Sequence, residues 1–221
     1  MAGFDEILEA ARRRVGTAEL RARMPAVSTA EALRAVADDR YLSLMSRRIF
    51  RAGLKHSLVD DRWPAFEEVF HGFALRRVRA MNDEEMEALM NDRRLIRHWG
   101  KLKSVRSNAA AMQAVAEEHG GFGAYLAGWP AADAIGLWAD LAKRFQQMGG
   151  NSAPNFLRMA GKDTFILTPH VVKALNRWNA FTGEPKSKAD RTQVQGAFNR
   201  WAKETGLPLS HLSMTLAASV D

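Results

Sequence analysis

Phe145-Gln-Gln-Met148-Gly149-Gly150-Asn151-Ser152-Ala153 follows Trp138-Ala-Asp-Leu-Ala-Lys-Arg144 without a break, and Phe165-Ile-Leu-Thr168-Pro169-His170-Val171 comes soon after. The first segment is helical in pattern, so Gly149-Gly150 forms a turn between two helices. Glycines in such a turn let the backbone approach a phosphate, and the N-terminus of the next helix aims its N–H groups at the negative charge. The same pair also suits an ordinary helix end, because glycine is the usual C-cap.

Working outward, the apolar spacing is helical almost everywhere, and no run alternates with period two. Helices are expected over 4–23, 28–37, 39–54, 62–71, 74–80, 83–91, 94–119, 122–128, 131–147, 151–160, 169–180, 187–205 and 208–219. Ser28 with Glu31, and Asn82 with Glu85, have the spacing of capping boxes. Pro130, Pro154, Pro169 and Pro208 stand where first-turn prolines are tolerated. The fold class is all-α. Residues 1–40 are rich in Arg and Ala and poor in aromatics, and read as a helical extension packed on a main body at 41–221.

At 221 residues the chain has material for one large domain or two packed lobes. It lacks an apolar run of about 18 residues, so no membrane partner is expected. The first residues are acidic and amphipathic, unlike a signal peptide. Cysteine is absent, which excludes disulfides, thiol catalysis and thiolate-held metal. A cytoplasmic home is the default, with no cofactor. Lys plus Arg exceed Asp plus Glu by 32 − 25 = 7. That balance suits a polyanion, because each neutralised phosphate releases counterions.

A second series lies upstream: Ala52-Gly53-Leu54, Trp63-Pro64-Ala-Phe66, then Leu95-Ile96-Arg97-His98-Trp99-Gly100-Lys101-Leu102, ending in Asn108-Ala109. Together with the glycine turn it resembles the 3-methyladenine DNA glycosylase I family of the helix-hairpin-helix superfamily, collinearly over residues 41–172. The Ile-Arg-His-x-Gly-Lys block is the most specific element. The resemblance implies a helix-hairpin-helix fold, the hairpin at about 138–160, with two helical lobes and a base-binding cleft between them. It further implies a partner, double-stranded and damaged DNA. The expected reaction is hydrolysis of the N-glycosidic bond of a flipped alkylated purine.

Several positions depart from the family pattern. Most of the superfamily carries an aspartate where Thr168 stands, although the methyladenine family itself lacks it. Counting back from Ala52-Gly53-Leu54, the base-contacting glutamate falls at Arg48 and the stacking tryptophan at His56. Arginine would repel a cationic alkylpurine, whereas it can hydrogen-bond an acceptor-rich base or a phosphate. The family's two-cysteine, two-histidine zinc clasp cannot exist in that form here. Asn151 occupies the place of the Schiff-base lysine of bifunctional relatives, so no lyase step is expected.

The candidate site residues follow. Arg48, His56, Trp99 and Thr168 are base-pocket candidates, and Gly149, Gly150, Asn151, Ser152, Arg97 and Lys101 are DNA-binding candidates. Each has a structural alternative: His56 as a satisfied histidine, Trp99 as core, and the basic run from Arg93 to Lys103 as a solvated helix face. The alternative function is a helix-hairpin-helix DNA-binding protein that has lost excision.

Overall fold

The computed structural model describes residues 2–221. Its helices are, in order, α1 (Phe4–Val15), α2 (Thr17–Ala22), α3 (Ala30–Ala35), α4 (Asp38–Arg51), α5 (His56–Val69), α6 (Leu75–Arg79) and α7 (Asp83–Ala88). There follow α8 (Trp99–His119), α9 (Phe122–Gly128), α10 (Ala134–Arg144), α11 (Ser152–Met159), α12 (Pro169–Arg177), α13 (Lys188–Thr205) and α14 (Leu209–Ala218). No strand occurs among the described residues, so the all-α expectation holds.

The chain divides into two compact units. One holds the residues through Val27, then Pro130–Leu137 and Gly161–Asp221; the other holds Ser28–Trp129 and Trp138–Ala160. In the first, α1 packs on α14 and α12 packs on α14. Phe165 stacks on Phe198 at 4.2 Å between ring centres, and Trp201 lies between Phe198 and Phe4, 5.7 Å from each. The Phe4 N–H donates to Glu204 Oε1 at 3.0 Å, and Arg14 Nε donates to Asp221 Oδ1 at 2.8 Å. The N-terminal helix is thus tied to the C-terminal pair by both packing and polar contacts.

In the second unit α4 is central, packed by α5, α8 and α11. Its core includes Phe50, Trp63, Phe66, Phe70 and Phe73, all buried. Tyr41, Phe122, Phe145 and Phe156 extend the core to the start of α9 and the hairpin. Gly123 lets α9 approach α3, since a β-carbon there would fall on the Leu33 carbonyl. Residues 28–40, read from sequence with the extension, therefore fold with the second unit through α3 and the start of α4.

Several element boundaries differ from the expectation, among them the start of α8 at Trp99 rather than 94. Gly16, at φ 83°, breaks the 4–23 segment into α1 and α2. Helix α5 starts at His56 rather than 62 and carries Pro64 inside it. A mid-helix proline removes one backbone hydrogen bond, but Val59, Trp63 and Phe66 share the buried face and keep the helix continuous across it. The cap of α3 is Thr29, whose hydroxyl accepts from the Ala32 N–H at 3.2 Å, and with alanine at 32 no reciprocal carboxylate is available, so the box read at Ser28 and Glu31 does not form. The Asn82–Glu85 box is formed as expected.

Candidate nucleic-acid interface

The hairpin is built from the end of α10, the turn at 145–151, and α11. Its anchor is Asn108, which is buried on α8. The Asn108 Nδ2 donates to the Gln146 carbonyl at 3.1 Å, and its Oδ1 accepts the Gln146 N–H at 2.8 Å. One side chain therefore fixes both backbone groups of a turn residue. The next residue, Gln147, sits at φ 64°, a conformation that non-glycine residues rarely adopt. Such a conformation persists where the surroundings over-determine it, and the Asn108 clamp supplies that constraint. Met148, buried beneath the turn, supplies the apolar support.

The two glycines do different work. Gly150, at φ 58°, supplies the left-handed turn. Gly149 does not adopt a left-handed φ, and a β-carbon there would meet no atom within 4 Å. Nothing in the protein's own packing requires glycine at 149, and the outer surface of the turn is open there. Gly149, Gly150 and Asn151 are exposed, and Ser152 opens α11 half-buried. The Ser152 N–H closes the turn on the Gly149 carbonyl at 3.1 Å. The Asn151 side chain makes no cap hydrogen bond to α11.

The Ile96–Lys101 block joins α8 to α4. His98 is the N-cap of α8, its Nδ1 accepting the Lys101 N–H at 3.3 Å. Gly100 leaves room for that ring, because a β-carbon would lie 3.4 Å from His98 Cε1. Lys101 then reaches back to the end of α4, where its Nζ donates to the carbonyls of Ala52 at 2.7 Å and Phe50 at 3.3 Å. A cation on carbonyls left open at a helix C-terminus is favoured by the helix dipole. Of this block, Lys101 is committed to the protein's own backbone, whereas Arg97 is exposed. Trp99 is half-buried with Lys103 Nζ 5.2 Å from its ring centre.

At the same end of α4, Arg47 and Arg51 share one face and one partner. Asp60 on α5 accepts from Arg47 Nε at 2.9 Å and from Arg51 Nη2 at 2.6 Å. Burial pushes the Asp60 carboxyl up, but hydrogen bonds from Arg51 and Arg47 outweigh it and hold the group below the usual carboxylate range. A depressed carboxyl contributes stability above its ordinary pKa of about 4 and loses it as pH falls through the folded value. The wild-type Tm is therefore expected to drop from about pH 4 downward. Asp60→Asn, already weaker at neutral pH, should show a shallower drop in thermal melts across that range.

Arg48 points away from Asp60. Its Nε is shielded from solvent and has no hydrogen-bond partner. Burial, then repulsion from Arg51, lowers its pKa. Burial, then repulsion from Arg48, lowers that of Lys101. The structure thus brings Arg48 and Lys101 together. His56 is exposed on the first turn of α5.

Thr168 lies in the other unit and is the N-cap of α12, its Oγ1 accepting the Val171 N–H at 3.2 Å, with Pro169 in the first turn. Thr168→Ala should cost about 1 kcal/mol, read as a fall in Tm of about 2–4 °C, and Thr168→Ser should restore it. Two features escaped the sequence reading. Asn108 was quoted only as the end of a motif, although a lone Asn in an apolar helix stretch is a signal for a buried amide with backbone partners. Glu67, which no sequence motif marks, accepts from Trp63 Nε1 at 3.3 Å and from Ser43 and Arg40.

A family model described as methyladenine glycosylase matches residues 33–148 of the chain. Among solved structures, 3-methyladenine DNA glycosylase I from Staphylococcus aureus is similar at 19% identity and TM-score 0.53, over 69% of this chain and 91% of that one. A variant of 3-methyladenine DNA glycosylase I in complex with 3-methyladenine gives 19% identity and TM-score 0.54, over 68% and 89%. The Methanocaldococcus jannaschii 8-oxoguanine glycosylase/lyase, in complex with a 15mer DNA containing 8-oxoguanine, gives 13% identity and TM-score 0.56, over 96% and 94%. At these identities the likeness is one of fold. No curated protein matched the chain.

Proposed function

This chain belongs to the methyladenine glycosylase family, and from that premise we propose that it binds damaged duplex DNA and hydrolyses the N-glycosidic bond of a flipped purine. The family relation suggests an alkylated purine as the class of substrate. The observation that carries the reading is the hairpin: a turn clamped by Asn108, with Gly149 open to a close approach and α11 beginning just after it. A phosphate seated there would meet backbone donors and the positive end of the α11 dipole. The net positive charge adds long-range attraction to the strand.

The cleavage step needs water and no protein nucleophile. Asn151, standing where bifunctional relatives have a lysine, offers no amine for a Schiff base. The product would be an abasic site in an unbroken strand. Incubation with duplexes carrying alkylated, deaminated or oxidised bases tests this. Release of a free base, with strand scission appearing only after alkali, is the expected result. Scission without alkali would contradict the monofunctional reading.

A second reading is a DNA-binding protein without excision. It is favoured by Arg48, whose charge is opposite to that of the glutamate expected at that position. Salt-dependent duplex binding with no base released from any of the three lesion classes would establish it.

A further inference from the structure

Four cations crowd the last turn of α4 and the start of α8: Arg47, Arg48, Arg51 and Lys101. Asp60 is the carboxylate that answers them, and its oxygens are taken by Arg47 and Arg51. Arg51 also places Nη1 3.8 Å from the Met159 sulfur. Lys101 is satisfied by the Phe50 and Ala52 carbonyls. That leaves Arg48 as the one member of the four with neither an anion nor a carbonyl. Among the described residues no carboxylate pairs with its half-buried guanidinium, its Nε is shut off from water without a partner, and a cation held this way is costly until an acceptor reaches it.

We propose that Arg48 is a specificity-determining residue that selects an uncharged damaged purine presenting a carbonyl oxygen, such as an oxidised or deaminated base, and turns away cationic alkylpurines. The proposal rests on the glycosylase reading above and replaces the alkylated purine suggested there with an uncharged one. A second positive charge brought to Arg48 would add to the repulsion from Arg51 and Lys101. A carbonyl acceptor there gains a charge-assisted hydrogen bond. A purine oxygen fits the partly buried Arg48 better than a phosphate does, because a phosphodiester stays in water while a flipped base leaves it.

The test compares duplexes bearing 8-oxoguanine, hypoxanthine, 7-methylguanine (2′-fluoro stabilised) or no lesion. 8-Oxoguanine and 7-methylguanine share a carbonyl and differ in charge. The full chain is expected to bind the first two lesions at least about tenfold more tightly than 7-methylguanine. Arg48→Glu should invert that order, and the nearly isosteric, uncharged Arg48→Met should abolish it with the folded state checked by circular dichroism. A wild-type preference for 7-methylguanine would overturn the proposal, as would affinities equal to that of undamaged duplex for all three lesions. Equal weakening of damaged and undamaged duplexes by Arg48→Met would also overturn it, by making Arg48 a phosphate contact. Absence of any duplex binding by the wild type would instead bring down the parent reading and this inference with it.

Discussion

Asn108→Ala lowers stability by about 1–3 kcal/mol, the cost of leaving polar backbone groups without partners, and weakens duplex DNA binding by at least about tenfold. The stability loss follows from geometry. Both the N–H and the carbonyl of Gln146 lose their partner, and the Asn108 site is buried, so the alanine leaves a void beneath the turn. The binding loss follows from what the clamp holds. Gln147 sits at φ 64° next to it, and without the amide the turn relaxes toward commoner conformations. Gly149 and Gly150 then no longer present one fixed surface. Asn108→Asp keeps an acceptor for the Gln146 N–H but buries a carboxylate oxygen against the Gln146 carbonyl, and at neutral pH should destabilise at least as much as alanine. Thermal melts and fluorescence anisotropy on the same preparations separate the effects.

Phe4→Ala costs about 3–5 kcal/mol, the range for emptying a buried aromatic site. Phe4 is fully buried against Trp201. Its loss frees the N-terminal end of α1, whose backbone N–H is held by Glu204. Equilibrium denaturation should show the fall in the midpoint. Removing the residues through Val27 should be worse, because α14 would expose the apolar surface that α1 covers. A truncation at residue 40 would confound two effects, since α3 packs on α9 in the other unit.

Much of this was legible in the sequence, for reasons that differ by residue. The helical period gave the fold class because buried faces recur with it, as Val59, Trp63 and Phe66 illustrate. The glycine turn was legible because one of its glycines, Gly150, takes the left-handed φ that ends a helix. The start of α5 was not. A proline argues against helix on its N-terminal side, and only the burial of Val59, Trp63 and Phe66 on one face shows why α5 runs through Pro64. Asn108, Lys101 and His98 were legible as a motif but not as contacts. Their partners lie on other elements, at Gln146 and at the end of α4, or within the turn that opens α8. The opposed charge at Arg48 was readable by counting from Ala52-Gly53-Leu54, but its lack of a partner was not, because Asp60 could equally have answered it. Thr168, a base-pocket candidate in the sequence, also caps α12, a contact its sequence neighbours Pro169 and Val171 make readable.

The claim that the hairpin docks the DNA backbone is tested most directly at Gly149. Leucine there meets no protein atom at its β-carbon and imposes no left-handed strain, so the Tm of Gly149→Leu should match the wild type. Its affinity for undamaged duplex, measured by anisotropy at fixed salt, should be weaker by at least about tenfold, because the side chain fills the space a phosphate would take. Wild-type affinity at unchanged Tm would contradict the assignment of the hairpin as the DNA-docking element.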